Sequence, residues 1–83
     1  MSLEELKMAK RKVIGVKQTL KAVEKGEAER VYIADDAEER VVKDLKALCE
    51  AKGVPICRVE SMALLGKTCK IEVGAAAAAL LKV

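Results

Sequence analysis

An α/β fold layered as an α/β/α sandwich is what this 83-residue sequence predicts, on three observations. Helix-periodic stretches alternate along the chain with short β-branched runs, the pattern of helices laid on the faces of a sheet. Gly26, Gly53 and Pro55 stand where the helical stretches should stop. The length allows one small domain, residues 1–83, with no linker or internal repeat to divide it.

Ser2-x-x-Glu5 has the spacing of a capping box and opens a first helix that runs to about Lys12. Val13-Ile14 is a short apolar stub read as a brief strand. Gly15 then turns the chain into a second helix that ends at Gly26, after Glu24-Lys25. Arg30-Val31-Tyr32-Ile33-Ala34 is β-branched and aromatic, so it reads as a buried strand. Asp36-x-x-Glu39 repeats the capping-box spacing before a third helix, whose Val41, Val42, Leu45, Leu48 and Cys49 form one apolar stripe. Gly53 stops that helix. Ile56-Cys57-Arg58-Val59 follows as a short strand, and Ser61 caps a short helix through Leu65, with Gly66 as its stop. The tail, residues 74–81, leaves two conformations open. Its five alanines favour helix, yet an apolar run with no polar face also suits a strand buried between helix layers.

The composition, 52% apolar and 35% charged with one proline, is that of a globular chain rather than a disordered one. No apolar run is long enough to span a bilayer, and Met1-Ser2-Leu3-Glu4-Glu5 does not start like a signal peptide. A cytoplasmic protein without a membrane partner is expected. Histidine is absent, which removes Ser/His and Cys/His nucleophile pairs. Cys49, Cys57 and Cys69 include no Cys-x-x-Cys pair, which removes zinc fingers and thioredoxin-like motifs, and their apolar neighbours mark them as structural thiols. Asp35, Asp36, Glu38 and Glu39 are explained by capping and dipole complementarity at the third helix rather than by a metal. Residues 61–68 end like a phosphate-binding loop, but Ser61 replaces the first glycine and the intervening side chains are bulky. Neither a catalytic residue nor a cofactor is expected. Tyr32 is the lone aromatic, so base-stacking RNA modules fit poorly.

Charge is distributed unevenly. The net value is +3, but residues 1–26 hold seven bases against three acids, +4, leaving −1 for the rest. The same region contains Gly15-Val16-Lys17-Gln18-Thr19-Leu20-Lys21, a glycine turn opening an amphipathic helix. Backbone N–H groups at a helix start attract anions, and Lys17 and Lys21 add full positive charge beside them. Gln18 carries an amide that both donates and accepts, suited to a base edge.

The Gly15-x-Lys17-Gln18-Thr19-x-Lys21-Ala22 segment resembles the RNA-contacting turn of the kink-turn-binding ribosomal protein family (the archaeal "L-seven-Ae" type), and the chain is similar to its small bacterial members. Collinear matches are Ile33-Ala34-Asp35-Asp36-Ala37, residues 48–55, Val59-Glu60-Ser61-Met62, and residues 64–77 from Leu64-Leu65-Gly66-Lys67 onward. The resemblance implies a three-layer α/β/α sandwich with a small central mixed four-stranded sheet, and so a strand for the alanine tail. It implies a non-enzymatic protein that binds the kink-turn, a bent RNA element with tandem sheared G·A pairs, in ribosomal RNA or a riboswitch or leader RNA. Gly15, Val16, Lys17, Gln18 and Lys21 would form one contact, with Gln18 at guanine and the lysines at bases or phosphates. Val59, Glu60, Ser61 and Met62 would form the second, with Val59 and Met62 packing on flipped-out nucleotides. Three positions depart from the family: Val16 is often small and polar, Glu60 is basic or smaller in many non-bacterial relatives, and Lys70 is commonly glycine. A monomer is expected. The alternatives are a protein–protein interaction module on the same fold that has lost RNA binding, which the retained Lys17, Gln18 and Lys21 argue against, and a small nucleotide-binding domain, which the incomplete glycine loop disfavours.

Overall fold

The computed structural model describes residues 3–82, which form α1 (Leu3–Met8), β1 (Lys12–Ile14), α2 (Val16–Glu24), β2 (Ala28–Ala34), α3 (Glu39–Lys52), β3 (Ile56–Val59), α4 (Met62–Thr68) and β4 (Ala77–Leu81). The strands pair in the order β1-β4-β2-β3. β4 runs antiparallel to both β1 and β2, whereas β2 and β3 are parallel and are joined through α3, as parallel neighbours require.

The alanine run is therefore a strand, and an interior one. Side chains alternate across a strand, so Ala77 and Ala79 enter a core made with Ala22 and Val23 of α2 and Val42, Leu45 and Cys49 of α3. Ala78 enters the opposite core, with Leu6 of α1 and Leu65 of α4. All three alanines are fully buried. β2 divides in the same way, Val31 and Ile33 to one face and Tyr32 and Ala34 to the other. The chain is thus a three-layer α/β/α sandwich around a mixed four-stranded sheet. Helix propensity loses at β4 because long-range backbone partners are waiting: Gly15 N–H donates to Ala77 O at 2.8 Å and Ala34 N–H to Ala76 O at 2.9 Å.

Three boundaries differ from the sequence expectation. α1 stops at Met8, because Lys12 is already extended and paired with Leu80; the Ser2 half of its capping box lies outside the described residues. α3 starts at Glu39 with Glu38 at the N-cap and no side-chain cap, so Asp36 does not open it. The Asp36 carboxylate instead accepts from Met62 N–H at 2.7 Å. α4 runs through Gly66 to Thr68. Gly66 is an approach point rather than a stop: a Cβ there would meet the backbone carbonyl of Val73. α2 ends as expected, with Gly26 N–H on Val23 O and Glu27 N–H on Ala22 O.

Arg30 ties β2 to α1 through Glu5 at 2.8 Å, and hydrogen bonds to Tyr32 and Glu5 raise its pKa further. All three cysteines are free thiols; Cys49 and Cys69 are buried and Cys57 is half-buried. Among the described residues no helix is long and apolar enough to cross a membrane.

Candidate nucleic-acid interface

Strand register decides which loops meet. Ile14 lies opposite Ala78, Ile33 opposite Ala77, and Ala34 opposite Val59. The C-terminal ends of β1, β2 and β3 and the start of β4 therefore share one end of the sheet. That end carries both predicted segments, 15–21 after β1 and 59–62 after β3. β1 and β3 are the outer strands, so the two segments are three strand spacings apart, about 14 Å.

At the β1 side, Gly15 adopts φ 102°, ψ 151°, a region that only glycine enters readily. The turn lets its N–H reach Ala77 while its carbonyl accepts from Thr19 N–H at 3.0 Å, the first bond of α2. Val16, Lys17 and Gln18 precede that bond, so their amides have no acceptor within the helix. Gly15 supplies no side-chain cap, and the first turn has no acid. Val16 and Leu20 pack against the core beneath, while Lys17, Gln18 and Lys21 are exposed. Gln18, Lys21 and Lys25 also line a cavity of about 160 Å³ together with Glu27, Val13, Ala22 and Leu81. This helix start is open, uncapped and cationic.

The start of α4 is closed. Ser61 Oγ accepts from Leu64 N–H at 3.0 Å, and Asp36 accepts from Met62 N–H. The Ser61 hydroxyl still has its own proton to donate. Met62 O accepts from Ala75 N–H, so both backbone groups of Met62 are held while its side chain is half-buried. Glu60 is exposed. Val59 does not serve as expected: it is 1% exposed, packed with Leu6 and Leu65, and offers no side-chain surface. Its carbonyl accepts from Asp35 N–H at 2.7 Å.

Other residues at this end were not singled out from sequence. Arg58 Nε lies 2.8 Å from Asp35 Oδ1, and Val73 is an exposed hydrophobic beside Gly74, whose backbone abuts Met62. Lys25, one turn after Lys21, is the C-cap of α2 and lies toward the opposite end of the sheet. The Asp36–Met62 bond spans 26 residues and had no signal in the sequence. The acidic run is accounted for without a metal, by Asp35–Arg58, Glu38–Arg40 and Glu39–Lys46 pairs and the Asp36 bond. Among the described residues no metal-holding group of His, Cys, Asp and Glu occurs.

Fold and site together define a small α/β/α domain that presents an uncapped, lysine-bearing helix start and a braced second loop on one end of its sheet. The chain belongs to the ribosomal protein L7Ae/L30e/S12e/Gadd45 family, which residues 2–83 match. It is 52% identical to RNA-binding protein BH0128 of Halalkalibacterium halodurans and 45% identical to RNA-binding protein YbxF of Geobacillus stearothermophilus, in each case over 99% of this chain and 100% of the relative. Among solved structures, the Giardia lamblia 15.5kD RNA binding protein superposes with a TM-score of 0.87 at 33% identity, over 98% of this chain and 68% of that one.

Proposed function

We propose that this chain is a non-enzymatic RNA-binding protein that recognises kink-turns and stabilises their bent form. The observation that carries this is the start of α2, where three unsatisfied amides lie beside Lys17, Gln18 and Lys21 at one end of the sheet. Amides and lysines supply the phosphate contacts, and Gln18 supplies a contact that depends on the base. Membership of the family, and relatives named as RNA-binding proteins, support the same reading. Bases in a regular A-form major groove are out of reach of side chains, so a distorted element is the fitting target. The protein acts as a monomer that binds the kinked conformer preferentially and so shifts an existing RNA equilibrium.

The test is titration into a kink-turn RNA labelled on both arms, read by energy transfer, beside a control whose G·A pairs are replaced by Watson–Crick pairs. Folding of the first RNA alone is expected. Lys21→Ala should lose about 1–3 kcal/mol of binding with its fold intact. Equal binding of both RNAs would reduce the site to general basic attraction, and binding of neither would favour a protein-interaction module.

A further inference from the structure

Four of the seven bases in residues 1–26 precede α2: Lys7, Lys10, Arg11 and Lys12, within six positions that hold no acid. Strand register carries them to the other end of the sheet, since Lys12 lies opposite Leu80 while Ile14, next to Gly15, lies opposite Ala78. Leu81 N–H donates to Arg11 O, and Arg11 Nη1 to Lys82 O at 3.4 Å, which sets a fifth base, Lys82, beside them. The Lys12 ammonium donates to Ala9 O, just past α1. Lys7, Lys10, Arg11 and Lys82 are exposed, and among the described residues no carboxylate pairs with them. Next to this cluster a groove of about 370 Å³ lies between the end of α1 and the end of β4. Lys10 and Arg11 line it, and its apolar part is Met8, Ala9, Leu80 and Leu81. Met8 is 74% exposed. Two acids also reach the groove, Glu5, which is held by Arg30, and Glu29.

None of this serves the start of α2, which lies at the other end of the sheet and packs on the other core. Cations beside an apolar groove suit a single strand of nucleic acid, because its phosphates and its bases can separate, the first to the cations and the second to the groove. A duplex turns its bases inward and would leave the groove empty. Resting on the RNA reading above, we propose that this far end is a second RNA site, for a single strand. Lys10, Arg11 and Lys82 hold its phosphates, and Met8, Leu80 and Leu81 take one of its bases. The chain then holds a kink-turn at one end and a single-stranded segment at the other, and joins the two.

The experiment saturates the full chain with kink-turn RNA and adds a short oligouridine carrying a different label, read by anisotropy at several salt concentrations. The oligomer should join the complex without releasing the kink-turn RNA. Lys10→Gln with Lys82→Gln should weaken the oligomer at least about fivefold and lower its slope of log K against log salt by about 0.7 for each lysine. Kink-turn binding should keep its slope in that variant. Met8→Ser should weaken the oligomer about threefold at constant slope, since it removes an apolar contact and no charge. Exclusion of the oligomer from the complex, its release of the kink-turn RNA, or an equal loss from Lys43→Gln with Lys67→Gln would overturn the proposal. So would displacement of the oligomer by an oligoglutamate of equal charge, which would make the partner an acidic protein. Failure of the kink-turn RNA itself to bind would overturn the RNA reading on which the inference rests, a result visible before any oligomer is added.

Discussion

Lys70 holds the left-handed conformation, φ 62°, that closes α4 and brings Ile71 N–H to Gly66 O at 3.0 Å. A side chain in that region costs about 1–2 kcal/mol, a penalty glycine escapes at the expense of a more flexible unfolded chain. Lys70→Gly is therefore expected to raise stability by up to about 1 kcal/mol, seen as a higher urea midpoint at constant m-value. Lys70→Ala keeps the Cβ and should give no such gain; equal gains would point to the lysine side chain instead. The cysteines give a second test at this scale. Desolvation raises the pKa of Cys49 and of Cys69, the latter partly offset by Lys12. In the unfolded chain these thiols ionise first, so above the ordinary thiol pKa the unfolded state binds fewer protons than the native one. Stability from these groups is whole below that pKa and falls as pH rises through the elevated values. Urea midpoints followed into the alkaline range should drop more steeply in the wild type than in a Cys49→Ala, Cys69→Ala variant. A parallel decline would remove the cysteines as the cause.

At the scale of elements, β4 carries the greatest constraint, because its small side chains set how closely helices approach on both faces. Ala78 faces the core that holds Leu6, Tyr32 and Leu65. Ala78→Leu is expected to cost about 1–3 kcal/mol by overpacking, measured by denaturation, while exposed Ala47→Leu on α3 should change little. Similar effects from both would mean that β4 is loosely packed. This strand also marks the limit of local reading. α3 was legible because Val42, Leu45 and Cys49 repeat at helical spacing, although Val41 of the same expected stripe is 45% exposed, and β2 because its residues are β-branched. For β4, local propensity pointed to helix, and the deciding information sits in Gly15 and Ala34, whose amides bond the carbonyls of Ala77 and of Ala76 just before the strand. The site divides along the same line. Lys17, Gln18 and Lys21 could be read from one helix, since exposed polar and buried apolar positions alternate there at known spacing. Asp36 was misassigned because its partner, Met62, belongs to another element, and Val59 because the inward side of a short strand's last residue depends on the sheet behind it.

For the whole molecule, a net charge of +3 is too small to draw RNA strongly from a distance. What attracts a polyanion is local: the excess in residues 1–26 gathers partly on α2, beside its open amides, while the β3 side is acidic. If RNA binding is governed by that local arrangement, equal changes of net charge should have unequal effects. Lys17→Gln with Lys21→Gln removes two phosphate partners, and each should lower the slope of log K against log salt by about 0.7–0.9. Lys43→Gln with Lys67→Gln alters net charge identically at exposed positions on α3 and α4. That second pair should leave the slope unchanged, although affinity at low salt falls slightly through the weaker general field. Titrations of one kink-turn RNA at several salt concentrations separate the two cases. Matching slopes in the two double variants would mean that the overall field does the binding, and the helix start would lose its claim as the site. A reduced slope in the α2 pair alone would fix the number of phosphates held there and leave base contacts to supply the remaining, salt-independent affinity.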